Sequence, residues 1–151
     1  MEKGDILRPF KAKDQDGNTF EVSEVIGKKP LVIYFYPKNF TPGCTKEACS
    51  FRDNNQEFVN FGAEVIGISG DCEKSHERFA NKYNLPFTLL SDQDGKLRRQ
   101  FGVKKNLLGL LPGRETFVFD KNGLLLMRYN SMDASSHIRK ALKVVKELHE
   151  K

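Results

Sequence analysis

Apolar positions in this chain fall in short unbroken runs, with amphipathic stretches between them. The longest run, Leu31-Val32-Ile33-Tyr34-Phe35-Tyr36, is β-branched and aromatic with no polar alternation. Such a run predicts a strand covered on both faces, as in a parallel sheet. Val65 to Ile68 and Phe87 to Leu90 repeat the pattern on a smaller scale. Polar stretches with helical spacing lie between the strands and predict helices over residues 42–61 and 74–83. The resulting order is βαβαβ, which implies a mostly parallel sheet with covering helices.

The pattern changes toward the end of the chain. Thr116 to Phe119 and Leu124 to Tyr129 predict two strands joined by the hairpin-type turn Asp120-Lys121-Asn122-Gly123. Ile138, Leu142, Val145 and Leu148 then recur on one helical face, with Ser135 or Ser136 as the expected cap. Near the start, Asp14-Gln15-Asp16-Gly17 is a turn signal between two short extended pieces. A βαβ half followed by ββα is the connectivity of the thioredoxin fold. The expected class is therefore α/β: a thioredoxin-like fold with a central mixed sheet flanked by helices and an N-terminal β-hairpin extension. One domain over residues 1–151 is expected, since no repeat or linker interrupts the chain.

Composition narrows the function classes. With 151 residues, 38% of them hydrophobic, the chain can bury a core without disulfides. Its longest apolar run is far shorter than the roughly 18 residues of a membrane span, and no basic-plus-apolar leader precedes the first predicted element. No membrane association and a cytoplasmic location are therefore expected. The net charge of +5 is spread along the chain in blocks no longer than pairs such as Arg98-Arg99. Without a recognition motif, that excess does not point to a nucleic-acid partner. The three cysteines, Cys44, Cys49 and Cys72, are too few and too odd in number for a secreted disulfide scaffold. They form no C-x-x-C, and adding His76 gives spacings unlike a zinc knuckle, so neither metal nor cofactor is expected.

In open α/β sheets, sites gather beyond the C-terminal ends of central strands. The run 31–36 leads into Pro37-Lys38-Asn39-Phe40-Thr41-Pro42-Gly43-Cys44. Thr41 followed by Pro42 reads as an N-cap with proline in the first helical position. Cys44 is then the third helical residue, where the positive end of the helix dipole and free N–H groups favour a thiolate. That placement favours reactivity over the usual role of a cysteine as a small buried hydrophobe.

The same residues carry a resemblance. Pro37-x3-Thr41-x2-Cys44 resembles the P-x3-T-x2-C motif of the peroxiredoxins. The string from Tyr34 through Cys44-Thr45-Lys46-Glu47-Ala48-Cys49 is similar to the peroxiredoxin Q (bacterioferritin comigratory protein) subfamily. The similarity continues at Phe51-Arg52-Asp53, Val65 to Asp71, Ser75-His76, Leu85 to Asp92 and Arg114 to Asp120. The chain departs from the family at Leu7-Arg8-Pro9-Phe10, where members usually carry Ala-Pro-Asp-Phe.

The resemblance implies a thiol-dependent peroxidase acting on hydrogen peroxide and organic hydroperoxides. It implies that Cys44 is the peroxidatic cysteine and that Thr41 offers a hydroxyl to the peroxide. Pro37, which has no N–H, would shield the sulfur. Among eight arginines it selects Arg114 as the cation beside the thiolate, with Arg128 the fallback. It also implies that Cys49 resolves the sulfenic acid as an intramolecular disulfide, recycled by thioredoxin or a similar dithiol. A monomer is expected. Glu47 sits where many peroxiredoxins carry a carboxylate that fixes the arginine, but by itself it reads as a solvated helix residue. Cys72 has no assigned role, and His76 has ordinary helix-face spacing. The segment Leu107 to Pro112 is either a packed lid near Arg114 or an exposed patch for a reductant or second subunit. A rival class is a peroxide-sensing relay or interaction protein signalling through Leu107 to Leu111. The Leu111-Pro112-Gly113-Arg114 and Gly67-Ile68-Ser69-Gly70-Asp71 strings look like plastid members of the subfamily, which makes a plastid the alternative location.

Overall fold

Side-chain alternation in the apolar run divides the core into two layers. Val32, Tyr34 and Tyr36 face one side of the sheet, and Leu31, Ile33 and Phe35 face the other. The structure, a computed structural model, describes residues 1–105 and 113–151. Its main sheet has five strands in the order β5-β4-β3-β6-β7. These are β3 (Leu31–Phe35), β4 (Glu64–Ser69), β5 (Thr88–Ser91), β6 (Glu115–Phe119) and β7 (Leu125–Asn130). β3 pairs in parallel with β4, and β4 with β5, whereas β3–β6 and β6–β7 are antiparallel. The sheet is thus mixed, with the apolar run at its centre, as the pattern predicted. The N-terminal hairpin forms from β1 (Lys11–Lys13) and β2 (Thr19–Glu21). Its turn is fastened by the Asp14 carboxylate, which accepts from the N–H groups of Asp16 and Asn18.

Helices cover both faces. One layer packs Phe51, Phe58, Phe79, Ile138 and Val145 against Tyr34 and Tyr36. The other gathers Leu7, Phe10, Phe101, Phe117 and Phe119 around Ile33 and Phe35. Tyr34 stacks on Phe51 with ring centroids 4.4 Å apart. It also presses on Gly67 of β4, where a Cβ would stand 2.8 Å from the phenol ring.

Three expectations need correction. The helix predicted over 42–61 is two helices, α1 (Pro42–Asp53) and α2 (Asn55–Asn60). The break is at Asn54, whose side-chain amide donates to the Ser50 carbonyl and competes for the helical backbone. The cap of the last helix, α5 (Ala134–His149), is neither Ser135 nor Ser136 but Asp133, which accepts from the Ser135 N–H. A short helix, α4 (Lys96–Phe101), was not anticipated. It starts where the Asp92 carboxylate accepts from the N–H groups of Leu97 and Arg98. The remaining helix, α3 (Glu73–Tyr83), falls where it was expected.

Candidate active site

α1 begins at Pro42, with Thr41 as its N-cap, so Cys44 occupies the third helical position as read from the sequence. Its side chain is buried, with 1% exposed. Arg114, at the entry to β6, places Nη2 3.4 Å from the Cys44 sulfur. Gly43 permits that approach, because a Cβ there would stand 3.1 Å from the same nitrogen. Glu47, one turn after Cys44, holds the guanidinium from the other side, with Arg114 Nη1 2.6 Å from Oε1. Arg114 is 3% exposed, and the reading of Glu47 as a solvated helix residue fails, since it is 0% exposed. What could have found Glu47 is its spacing: three residues after Cys44, on the inward face with Ala48 and Phe51.

Charge is concentrated in this buried spot. Burial pushes the Glu47 carboxyl up to about 7, against the opposing pull of Arg114. Burial also works against the Arg114 charge, but Glu47 and Cys44 outweigh it and its pKa is raised. Behind Glu47 stands His137 of α5, fully buried, with Nδ1 3.9 Å from Glu47 Oε2. Thr116 Oγ1 lies 2.7 Å from the same ring nitrogen, and His137 Nε2 donates to the Ser131 carbonyl at 2.7 Å.

The other candidate residues are distributed around this centre. The Thr41 hydroxyl donates to the Lys38 carbonyl at 2.8 Å instead of capping α1. Its lone pairs remain available as acceptors. Pro37 is half-buried where β3 gives way to the loop. Cys49 lies in the same continuous helix as Cys44, and all three cysteines are free thiols. Cys72 is the N-cap residue of α3, without a side-chain capping bond. Arg128 is committed elsewhere, to Glu115, Met1 and Gly102. The segment Leu107 to Pro112 lies outside the described residues, and with it the choice between lid and patch.

Sequence reading missed two further contributors. Arg98 Nη2 donates to the Tyr36 carbonyl at 2.9 Å and its Nη1 to the Gly113 carbonyl at 3.3 Å. It thereby ties the end of β3 to the residue preceding Arg114. His76 is fully buried, not on an ordinary helix face. Its Nε2 donates to the Leu90 carbonyl, which leaves Nδ1 to accept from the Asn39 amide at 3.0 Å. Asn39 also accepts from the Tyr36 hydroxyl, and its N–H donates to Asp71. This network anchors the loop on which Phe40 takes a left-handed conformation, φ 66°, two residues before α1.

Comparison with known proteins agrees with this geometry. Residues 4–127 match the AhpC/TSA family. The peroxiredoxin Q of Sedum lineare, described as chloroplastic, is 52% identical over 97% of this chain and 78% of its own. That of Populus jackii, also chloroplastic, is 50% identical over 98% and 70%. Among solved structures, peroxidoxin BcpB of Mycobacterium tuberculosis superposes with a TM-score of 0.90 at 39% identity, covering 98% of both chains. The bacterioferritin comigratory protein of Xanthomonas campestris, studied for alkyl peroxide reduction, gives 0.85 at 33%, covering 93% of this chain and 92% of that one. With that match, and a buried cysteine in the first turn of α1 held against an arginine, the chain belongs to the AhpC/TSA family, and within it to the thiol-dependent peroxidases of the peroxiredoxin Q group.

Proposed function

We propose that Cys44 attacks the hydroperoxide and that Cys49 resolves the product within the same chain. The thiolate displaces on the terminal oxygen: an S–O bond forms, the O–O bond breaks, and the departing alkoxide takes up a proton to leave as alcohol or water. Arg114 faces the sulfur and the charge that develops as the O–O bond breaks, and the Cys44 backbone N–H adds a donor at the helix N-terminus. Thr41 accepts from the peroxide O–H while its own hydroxyl hydrogen remains donated to the Lys38 carbonyl. Pro37 shields the sulfur from solvent. Cys49 then attacks the sulfenic sulfur, forming an S–S bond and releasing water. A thioredoxin-like dithiol exchanges with that disulfide and is itself oxidised.

One observation carries the reading: Arg114 Nη2 stands 3.4 Å from a cysteine sulfur in the first helical turn. The alkyl peroxide activity named for the Xanthomonas relative supports organic hydroperoxides as substrates alongside hydrogen peroxide. The chloroplastic relatives support the plastid reading of its compartment over the cytoplasmic one. The test is peroxide-dependent oxidation of thioredoxin by wild type, Cys44→Ser and Cys72→Ser. Turnover should vanish in the first variant and stay within a few-fold of wild type in the second. Substantial turnover by Cys44→Ser would remove Cys44 from the mechanism.

A further inference from the structure

On the side of Arg114 away from the sulfur lies an unsatisfied polar atom of the site. Glu47 Oε1 accepts from the guanidinium, but Oε2 is fully buried and has no hydrogen-bond partner among the described residues. Its neighbour at 3.9 Å is His137 Nδ1. Because His137 Nε2–H is committed to the Ser131 carbonyl, Nδ1 carries a lone pair, and the Thr116 hydroxyl donates to it. That hydroxyl fills the one lone pair of Nδ1, so His137 neither donates to Oε2 nor has room to accept from it. A charge on this carboxyl is then offset by Arg114 alone, and burying an O–H costs far less than burying an uncompensated charge.

The charge count leads to the same arrangement. Arg114 is one cation hydrogen-bonded to two groups that can each be an anion, Cys44 on Nη2 and Glu47 on Nη1. The other cation whose field reaches Cys44, Arg98, spends its guanidinium on the Tyr36 and Gly113 carbonyls. With both ionised, the buried cluster carries a net negative charge, which a low-dielectric site opposes. With one proton between them, it is neutral. The other titratable groups facing Glu47 are Tyr34 and Tyr36 of β3. Burial, more than any neighbouring charge, raises both phenols well above their ordinary range, so neither adds charge. Burial, joined by the Arg114 charge, lowers His137, against the pull of its bond to Ser131. The ring is thus neutral and an acceptor.

We propose that Cys44 and Glu47 share one proton across the Arg114 guanidinium. In one form the hydrogen is on the Cys44 sulfur and Glu47 is a carboxylate. In the other, the S–H bond has broken and an O–H bond has formed at Glu47 Oε2. The cluster is neutral in both forms and no electron changes hands. In the second form the full charge of Arg114 is available to the sulfur and the departing oxygen. This deepens the peroxidase reading and rests on Cys44 being the attacking thiol.

The carboxylic C=O stretch of Glu47, identified from the infrared difference between wild type and Glu47→Gln, reports the hydrogen on Oε2. In reduced wild type it should persist to a pH at least about one unit higher than in Cys44→Ser, where no thiolate competes for Arg114. By reciprocity, Glu47→Gln should move the onset of Cys44 thiolate absorbance to lower pH by the same interval. That titration is read in a Cys49→Ser, Cys72→Ser background, so that Cys44 alone contributes. Equal band midpoints in wild type and Cys44→Ser would overturn the shared proton, as would a thiolate onset that Glu47→Gln leaves unmoved. Both readouts are taken without peroxide, so their failure leaves the peroxidase reading intact. Failure of that reading shows separately, as turnover by Cys44→Ser.

Discussion

Two glutamate–arginine pairs with buried carboxyl groups stand at β6, and they are built differently. Glu115 is saturated: Oε2 accepts from Arg128 Nε at 2.7 Å, and Oε1 from the Lys104 N–H, Asn130 and Arg128 Nη2. Arg128 is saturated as well, spending its remaining hydrogens on the Met1 and Gly102 carbonyls and the Glu2 carboxylate. In the other pair, Glu47 leaves one oxygen and Arg114 leaves Nε without a partner among the described residues. The last contact of Arg114 is the Cys44 sulfur. A saturated pair has no capacity left for a substrate and serves as a clasp, here joining the N-terminus, the 102–104 loop and β7. An unsaturated pair in a buried site keeps its field directed at the neighbouring sulfur. On the proposed mechanism, the unmet hydrogen bonds mark Arg114 and not Arg128 as the arginine that acts on the peroxide.

Removing each arginine should separate the two roles most sharply. Arg114→Ala is expected to slow peroxide-dependent oxidation of Cys44 by roughly 10- to 1000-fold, the range for losing a transition-state stabiliser. Lysine at 114 should recover only part, because a point charge cannot contact Glu47 and the sulfur with a planar fork. Arg128→Ala should leave that rate within a few-fold. It should instead lower unfolding stability by on the order of 3 kcal/mol, since Glu115 loses its counter-charge in a buried site. Stopped-flow oxidation and denaturant titration of both variants measure the two effects. A large rate loss in Arg128→Ala would erase the distinction.

Oxidation should dismantle one pair and spare the other. Cys44 and Cys49 sit on one continuous helix, where five residues advance about 7.5 Å and turn about 500°, leaving the Cα atoms roughly 8–9 Å apart on different faces. A disulfide needs them within about 7 Å with converging Cβ atoms. The first turns of α1 must therefore unwind, carrying Glu47 away from Arg114. Hydrogen exchange on the disulfide form should show lost protection between about residues 42 and 51. Amides around Glu115 and Arg128 should stay as protected as in the reduced chain. Equal protection across α1 in both redox forms would exclude Cys49 as the intramolecular resolving thiol.

Much of this was legible in the chain. Alternation in 31–36 placed the central strand, and Thr41-Pro42 placed the start of α1 and therefore Cys44, because both signals are local. Arg114 was different. Physics could not choose among eight arginines, since its partner lies 70 residues away in sequence, and only the family resemblance selected it. His137 was out of reach because burial is a property of the assembled layers, and Glu47 was within reach only through its spacing from Cys44 on the inward face of α1. His76 was misjudged because its partners, Asn39 and the Leu90 carbonyl, come from two other segments. The break at Asn54 was a local signal that was passed over.

The unsaturated pair should also leave a mark on stability against pH. Burial raises the Glu47 carboxyl from an ordinary 4.5 to about 7, so the folded chain keeps that proton at pH values where the unfolded chain has lost it. The contribution is fully present below the ordinary carboxyl value and is lost as pH rises through about 7, on the order of 3 kcal/mol in all. Glu47→Gln cannot titrate, so unfolding free energy measured between about pH 4 and pH 8 should fall less steeply than in wild type. A slope unchanged by the substitution would mean Glu47 is already ionised in the acid range and the pair is as saturated as its counterpart.

The smallest effect should come from a single methyl group. A Cβ at Gly43 would stand 3.1 Å from Arg114 Nη2, tighter than an ordinary contact, and Gly43 itself has no left-handed backbone to protect. Alanine suits a helix better than glycine, by roughly 0.5–1 kcal/mol, so Gly43→Ala should leave stability unchanged or slightly raised. The guanidinium must yield instead, because β6 fixes its backbone and Glu47 holds its other nitrogen. A displacement of a few tenths of an ångström lengthens the contact with the sulfur and leaves the bond to Glu47 in place. The expected outcome is a few-fold slower Cys44 oxidation without loss of stability. Arg128, whose partners lie away from Gly43, should be untouched. A Gly43→Ala chain that oxidises at the wild-type rate would show that the site tolerates a looser arginine than the 3.4 Å contact implies.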